Sequence, residues 1–235
     1  MNLLSPKTIK RLCREYKIRP QKKLGQNFLI SRSVLDKIIQ AANLERDDVV
    51  LEIGPGFGAL TVELAKRVKQ VIAVEKDKKL VGALKEMLSD YENVEVVEND
   101  ILRFQISDFR FRDDKFKIVA NLPYQITSVV LRKFLENEPK PKEMILMLQK
   151  EVGKKICANP GNMSLLSVAV QFYAQPEILF KVSKSNFWPV PRVDSVVLKI
   201  STLPMARVEE KKNRRHGRRR IEKQFFKIVK AGFSN

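Results

Sequence analysis

With 235 residues, 44% hydrophobic and 31% charged, the chain can bury one sizeable core, and no apolar run approaches a membrane span or a secretory signal. Two cysteines without ligand spacing (Cys13, Cys157) and a single histidine (His216) exclude most Ser-His, Cys-His and histidine-zinc chemistries, so a reduced, cytoplasmic compartment and no metal are expected. The net charge of +18 gathers at the ends, +7 in residues 1–23 and +8 in residues 201–235 against +3 between them, which points to a polyanion, nucleic acid first, and not to a membrane.

In chain order, Ser5-Pro6 followed by Ile9, Leu12 and Tyr16 predicts a short basic helix with proline in its first turn. A polar loop, Gln21 to Leu29, leads to Ser31, which can cap a helix carrying Val34, Leu35, Ile38 and Ile39 on one face. Strands and helices then alternate. Strands are expected at Val49–Ile53, Val71–Val74, Val94–Val97, Phe116–Ala120 and Met144–Leu148, with helices at Leu60–Val68, Leu80–Leu88 and after Tyr124. This is the pattern of an α/β fold, a parallel, doubly wound, Rossmann-like sheet with helices on both faces. Ile178–Val182 and Val193–Ile200, split by a Pro-rich turn, read as an antiparallel pair closing one edge. Residues 203–220 form a charged linker, and Ile221–Phe233 is an amphipathic pattern. Three parts are therefore expected: a basic helix and loop (1–30), the sheet domain (31–202), and a basic linker opening a helical appendage (203–235).

Glu52-Ile53-Gly54-Pro55-Gly56-Phe57-Gly58 lies between the first strand and the next helix. Glycines there let the backbone approach a ligand closely. The spacing is G-x-G-x-G, not the G-x-G-x-x-G of a dinucleotide site, and suits S-adenosylmethionine, which has no phosphate to cradle; a tight structural turn explains it equally well. Glu75 ends the second strand, 21 residues after Gly54, where a carboxylate can accept from both hydroxyls of a ribose in either class of enzyme. Asp100, after the third strand, can accept from an adenine amino group or serve as a turn residue.

Asn121-Leu122-Pro123-Tyr124 ends the fourth strand, where open α/β sheets place their ligands. Together with Gln26-Asn27-Phe28-Leu29, the glycine loop, Glu75, Asn99-Asp100 and Phe187-Trp188-Pro189-Val190-Pro191-Arg192-Val193-Asp194-Ser195, it resembles the ribosomal RNA adenine N6-dimethyltransferases, and among them the small-subunit branch linked to kasugamycin resistance. The likeness covers about residues 19–200 and resumes at Phe225–Ser234.

The resemblance implies methyl transfer from S-adenosylmethionine to N6 of two adjacent adenines near the 3′ end of small-subunit rRNA, in a 30S assembly particle; a monomer is the default expectation. It implies that the Asn121 side chain and the Pro123 carbonyl accept the two N–H hydrogens of the target, while Tyr124 and Phe187 stack on its two faces. It further implies that Asn27, Leu29, Gly54, Gly56, Glu75, Asp100 and Asn121 hold the cofactor. Lys22, Lys23 and the tract with Arg214, Arg215, Arg218, Arg219 and Arg220 are expected to neutralise phosphates. The family pattern continues into a further helical domain, so the appendage is expected to be truncated, leaving Phe225, Phe226, Val229 and Phe233 without partners. Alternatives are a large-subunit (23S) methyltransferase of the macrolide-resistance type, a non-catalytic ribosome-assembly factor, and, against the glycine spacing, an NAD-dependent dehydrogenase.

Overall fold

A computed structural model describes residues 1–21, 24–105, 116–203, 224–227, 229 and 231. Its centre is a seven-stranded sheet with strand order β4-β3-β2-β5-β6-β9-β7, built from β2 (Val49–Ile53), β3 (Gln70–Glu75), β4 (Val94–Glu98), β5 (Phe116–Asn121), β6 (Glu143–Gln149), β7 (Ala174–Val182) and β9 (Ser195–Thr202). The first five run parallel, and β9 and β7 join antiparallel at one edge. Strands β2, β3, β5 and β6 are almost continuously apolar because helices cover both faces. Val50, Val71, Val119 and Ile145 face the layer of α2 (Arg32–Ala41) and α3 (Ala59–Ala65). Leu51, Ile72, Ile118 and Leu146 face the opposite core, with Phe134 of α5 (Thr127–Glu136) and Val170 of α7 (Leu165–Tyr173).

Helix ends follow local chemistry. Ser31 accepts from the Val34 N–H, capping α2, and Asp77 accepts from the Lys79 N–H, capping α4 (Lys78–Met87). Ser5 precedes α1 (Pro6–Glu15), with proline at its start but no side-chain cap bond. The buried Lys117 ammonium donates to the carbonyls of Ala42 and Asn43 at the end of α2 and pairs with Asp48 at 2.8 Å. It ties the last turn of α2 to the middle of the sheet.

Two helices lie where the sequence signalled none: α6 (Lys150–Ile156) and α7. A further small ribbon pairs β1 (Phe28–Leu29) with β8 (Phe187–Trp188), Leu29 opposite Phe187, and ties the Pro-rich loop to the Gln26–Leu29 loop. Phe225 and Phe226 do not stand unpartnered as expected: Phe225 stacks on Phe172 at 4.7 Å, and Phe226 lies against Phe172 and Tyr173. Phe233 lies outside the described residues, as does most of the 203–220 linker. Among the described residues no helix is long and apolar enough to cross a membrane.

Candidate active site

The carboxyl ends of β2, β3 and β5, with the loop after β4, surround a cavity of about 210 Å³. Asn27, Leu29, Gly54, Gly56, Glu75, Asp100, Asn121 and Pro123 all line it, although the sequence spreads them over almost 100 positions. Tyr124 and Phe187 are not part of its wall.

The glycine loop shapes one side. Gly54 and Gly56 hold φ of 67° and 61°, which side-chain-bearing residues adopt only at a cost. A Cβ on Gly56 would meet the Phe28 ring at 3.0 Å. The Gly56 N–H reaches Glu75 Oε2 at 3.4 Å, while Glu75 Oε1 accepts from the N–H groups of Lys76 (2.8 Å) and Asp77 (2.9 Å). Burial pushes the Glu75 carboxyl up, and these amide donors pull it back towards the charged form. Asp100 is held below the usual carboxylate range first by Lys76, whose ammonium lies 2.8 Å from Oδ2, and Oδ1 accepts from the Leu102 N–H.

Glu52 belongs to this wall and was not singled out from the sequence. It is 2% exposed, its Oε2 has no hydrogen-bond partner among the described residues, and burial pushes its carboxyl up to about 8. The nearby Thr61 hydroxyl pulls it back down, although Thr61 Oγ1 meets no partner at full hydrogen-bond geometry among the described residues. The signal was present, since a glutamate inside the run Val49-Val50-Leu51-Glu52-Ile53 must be buried with the strand.

Asn121 ends β5 and donates through Nδ2 to the Asn27 carbonyl at 3.1 Å. That bond fixes the amide and leaves Oδ1 as an acceptor. Asn27 is in turn held by its own Nδ2 donating to the Gly25 carbonyl. Gly25 was also missed: with φ of 63°, it lies so close to Pro123 that an added Cβ would come within 2.9 Å of the ring. The Pro123 carbonyl already accepts from the Ile126 N–H at 3.2 Å, opening the short turn Tyr124–Ile126. The Leu122 carbonyl accepts no bond among the described residues.

Tyr124 is half-buried, and its hydroxyl lies 2.9 Å from Ser195 Oγ at the start of β9. Ser195 is fully buried, and in the sequence it stands out only as the end of the Phe187–Ser195 motif. Phe187 is 1% exposed and lies in the core cluster that holds Leu35, Ile38 and Val197. In the two-residue strand β8 its neighbour Trp188 takes the other side and stacks on Phe28 at 6.5 Å. Lys22, Lys23, Arg214, Arg215, Arg218, Arg219 and Arg220 lie outside the described residues.

The donor set fits S-adenosylmethionine. Three carboxyl groups, one of them an orphaned buried acid, suit a ligand carrying hydroxyls, amino groups and positive charge, and would repel a pyrophosphate. Among the described residues no group of three or more His, Cys, Asp or Glu could hold a metal ion.

A family model described as ribosomal RNA adenine dimethylase matches residues 18–225. A protein of Dehalococcoides mccartyi named ribosomal RNA small subunit methyltransferase A is 46% identical over 95% of this chain and 74% of its own length. One of the same name from Alkaliphilus metalliredigens is 41% identical over 88% of this chain and 74% of its own. Among solved structures, a dimethyladenosine transferase from Plasmodium falciparum superposes with a TM-score of 0.67 at 35% identity, covering 74% of this chain and 63% of that one. The 23S rRNA methyltransferase ErmE gives 0.69 at 35% identity, over 78% of this chain and 73% of that one.

Proposed function

The chain belongs to the ribosomal RNA adenine dimethylase family, and we propose that it methylates N6 of two adjacent adenines near the 3′ end of small-subunit rRNA, using S-adenosylmethionine, within a 30S assembly particle. The observation that carries this reading is the Asn121 amide, whose Nδ2 is tied to Asn27 and whose Oδ1 is left as an acceptor beside the cavity.

When bound, the cofactor supplies an electrophilic methyl group on a sulfonium. Glu75 would accept from its ribose hydroxyls, Asp100 from its adenine amino group and Glu52 from its α-ammonium, with Gly54 and Gly56 giving close backbone approach and Asn27 and Leu29 flanking the methionine part. The target nitrogen is a poor nucleophile because its lone pair is delocalised into the ring. Two acceptors for its hydrogens favour a tetrahedral, nucleophilic geometry without a strong base. Asn121 Oδ1 is the first. The second is the Leu122 carbonyl in preference to that of Pro123, which the Ile126 N–H already engages. Tyr124 supplies a stacking face for an adenine taken out of its helix. The proton released goes to water. Lys22, Lys23 and the Arg214–Arg220 tract would contact phosphates. A monomer working in the cytoplasm completes the reading.

The test is transfer of radiolabelled methyl from S-adenosylmethionine to undermethylated 30S subunits, with digestion to nucleosides. N6,N6-dimethyladenosine is expected, and none from naked 23S RNA. Label only from the 23S RNA would replace the substrate, and absence of cofactor binding would overturn the reading.

A further inference from the structure

We infer that the outer face of helix α1 is a phosphate-binding strip for the RNA substrate, an inference that rests on the RNA-methylating function proposed above. The helix is divided along its length. Ile9, Leu12 and Cys13 are buried against Phe57, Leu80 and Ala83. Lys7, Lys10, Arg11 and Arg14, at i, i+3, i+4 and i+7, form one exposed stripe on the other side. None of the four is ion-paired to a carboxylate among the described residues.

Folding accounts for only part of this stripe: Arg14 sits in the last turn, where the helix dipole favours a cation. Lys7–Arg11 and Lys10–Arg14 are like charges one helical turn apart, and the first turn, where the helix dipole favours an acid, has none. Each of these choices costs the isolated helix stability. A negatively charged partner along the outer face turns that cost into attraction.

On its inner side the N-terminal segment puts Leu3 and Ile9 on the cavity wall that also holds Asn121, and Lys10 Nζ lies 5.9 Å from the Trp188 ring. The helix that carries the strip therefore packs against the catalytic cavity, with the strip on its outer side. From Lys7 to Arg14 it spans about 10 Å at helical rise, enough to follow successive phosphates of one strand. Lys17 continues it past the end of the helix and is anchored there, its carbonyl accepting from Lys79 Nζ at 2.9 Å. A ribose-phosphate backbone, with regularly spaced charges leading to a base in the cavity, is the partner this layout fits.

The test compares the parent with the triple variant Lys7→Gln/Arg11→Gln/Arg14→Gln, since glutamine keeps helix propensity while removing charge. Lys10 is retained because it contacts Trp188. Affinity for an RNA hairpin bearing two unpaired adenines is measured across a KCl series, with S-adenosylmethionine affinity as the control for an intact fold. Expected are a log–log salt slope shallower by about 2 to 3, RNA affinity down on the order of tenfold at 100 mM, and parental cofactor affinity. The charge-keeping variant Lys7→Arg/Arg11→Lys/Arg14→Lys should retain the parental slope. A parental slope in the glutamine variant overturns the inference, as does a parallel loss of cofactor affinity. Lost binding to phosphatidylserine vesicles with an unchanged RNA slope would also overturn it, assigning the helix to a membrane surface. A parent that binds no RNA at all overturns the functional reading along with the strip, which distinguishes the two failures.

Discussion

Glu52 Oε2 is a buried acceptor with no donor among the described residues, which costs free energy that a cationic ligand group would recover. Its carboxyl is raised from the usual 4.5 to about 8, so in the folded chain it is protonated at neutral pH. The sign follows: a raised carboxyl contributes stability at low pH and loses it as pH climbs through about 8. Cofactor binding runs the opposite way. An ammonium group prefers the ionised acid, so binding below pH 8 releases a proton, and affinity should rise by up to about tenfold per unit from pH 6 towards 8, then fall as the free ligand's α-ammonium, ordinarily titrating at about 7.7 to 8.0, loses its charge. Calorimetry at pH 6, 7, 8 and 9 checks this; Glu52→Gln should flatten the profile and weaken binding at pH 8 by about 10- to 100-fold. A parental profile that is already flat would detach Glu52 from the cofactor. The Tyr124–Ser195 bond makes a second prediction. If it sets the angle of the stacking ring, Tyr124→Phe and Ser195→Ala each lower kcat/KM by about 3- to 10-fold, and the double variant is no worse than either. Cofactor affinity should not change. Additive losses would mean that the two hydroxyls act separately.

At the scale of elements, the sheet was legible because buried parallel strands are short apolar runs; Gln70–Glu75 and Phe116–Asn121 each end at the residue that carries chemistry, and Val49–Ile53 ends at the glycine loop. What escaped was set by contacts distant in sequence. Helix α7 is apolar on most sides, and its capping box is Ser164 with Ser167 in place of the usual Ser with Glu, so neither its periodicity nor its start resembled a surface helix. Strand β8 has two residues, and only its pairing with β1 decides that Phe187 enters the sheet core while Trp188 turns to the other side, against Phe28. Stacking aromatics and core aromatics are identical in sequence, so the sequence could not show that Phe187 is buried and Tyr124 half-buried. Lys117 shows the reverse case, a charge within an apolar strand that serves structure. Replacing it with methionine keeps the apolar stem but strands Asp48 and two carbonyls at the end of α2. Lys117→Met should cost roughly 3 kcal/mol in urea unfolding at neutral pH, with cofactor affinity per folded molecule unchanged. A cost below about 1 kcal/mol would show that water replaces the ammonium.

Across the whole molecule, charge is sorted by partner. The cavity gathers Glu52, Glu75 and Asp100 for a small cationic ligand, while the two chain ends carry most of the surplus positive charge for a polyanion. The two bindings should respond differently to salt. Groups sheltered in a cavity are screened little, and a single small ligand displaces few counterions. A protein that neutralises six or more phosphates loses about a thousandfold in affinity between 50 and 200 mM salt. The four exposed cations of the α1 strip, with Lys17 and Lys22-Lys23, supply that many before the C-terminal tract is counted. Over that range RNA affinity should therefore fall by at least about 100-fold, read by anisotropy of a labelled hairpin, while calorimetry gives a cofactor affinity that moves by less than about threefold. A steep salt dependence in the cofactor would mean that its site is open to the surface field. A shallow one in RNA would mean that stacking and hydrogen bonds, not the charged ends of the chain, hold the substrate.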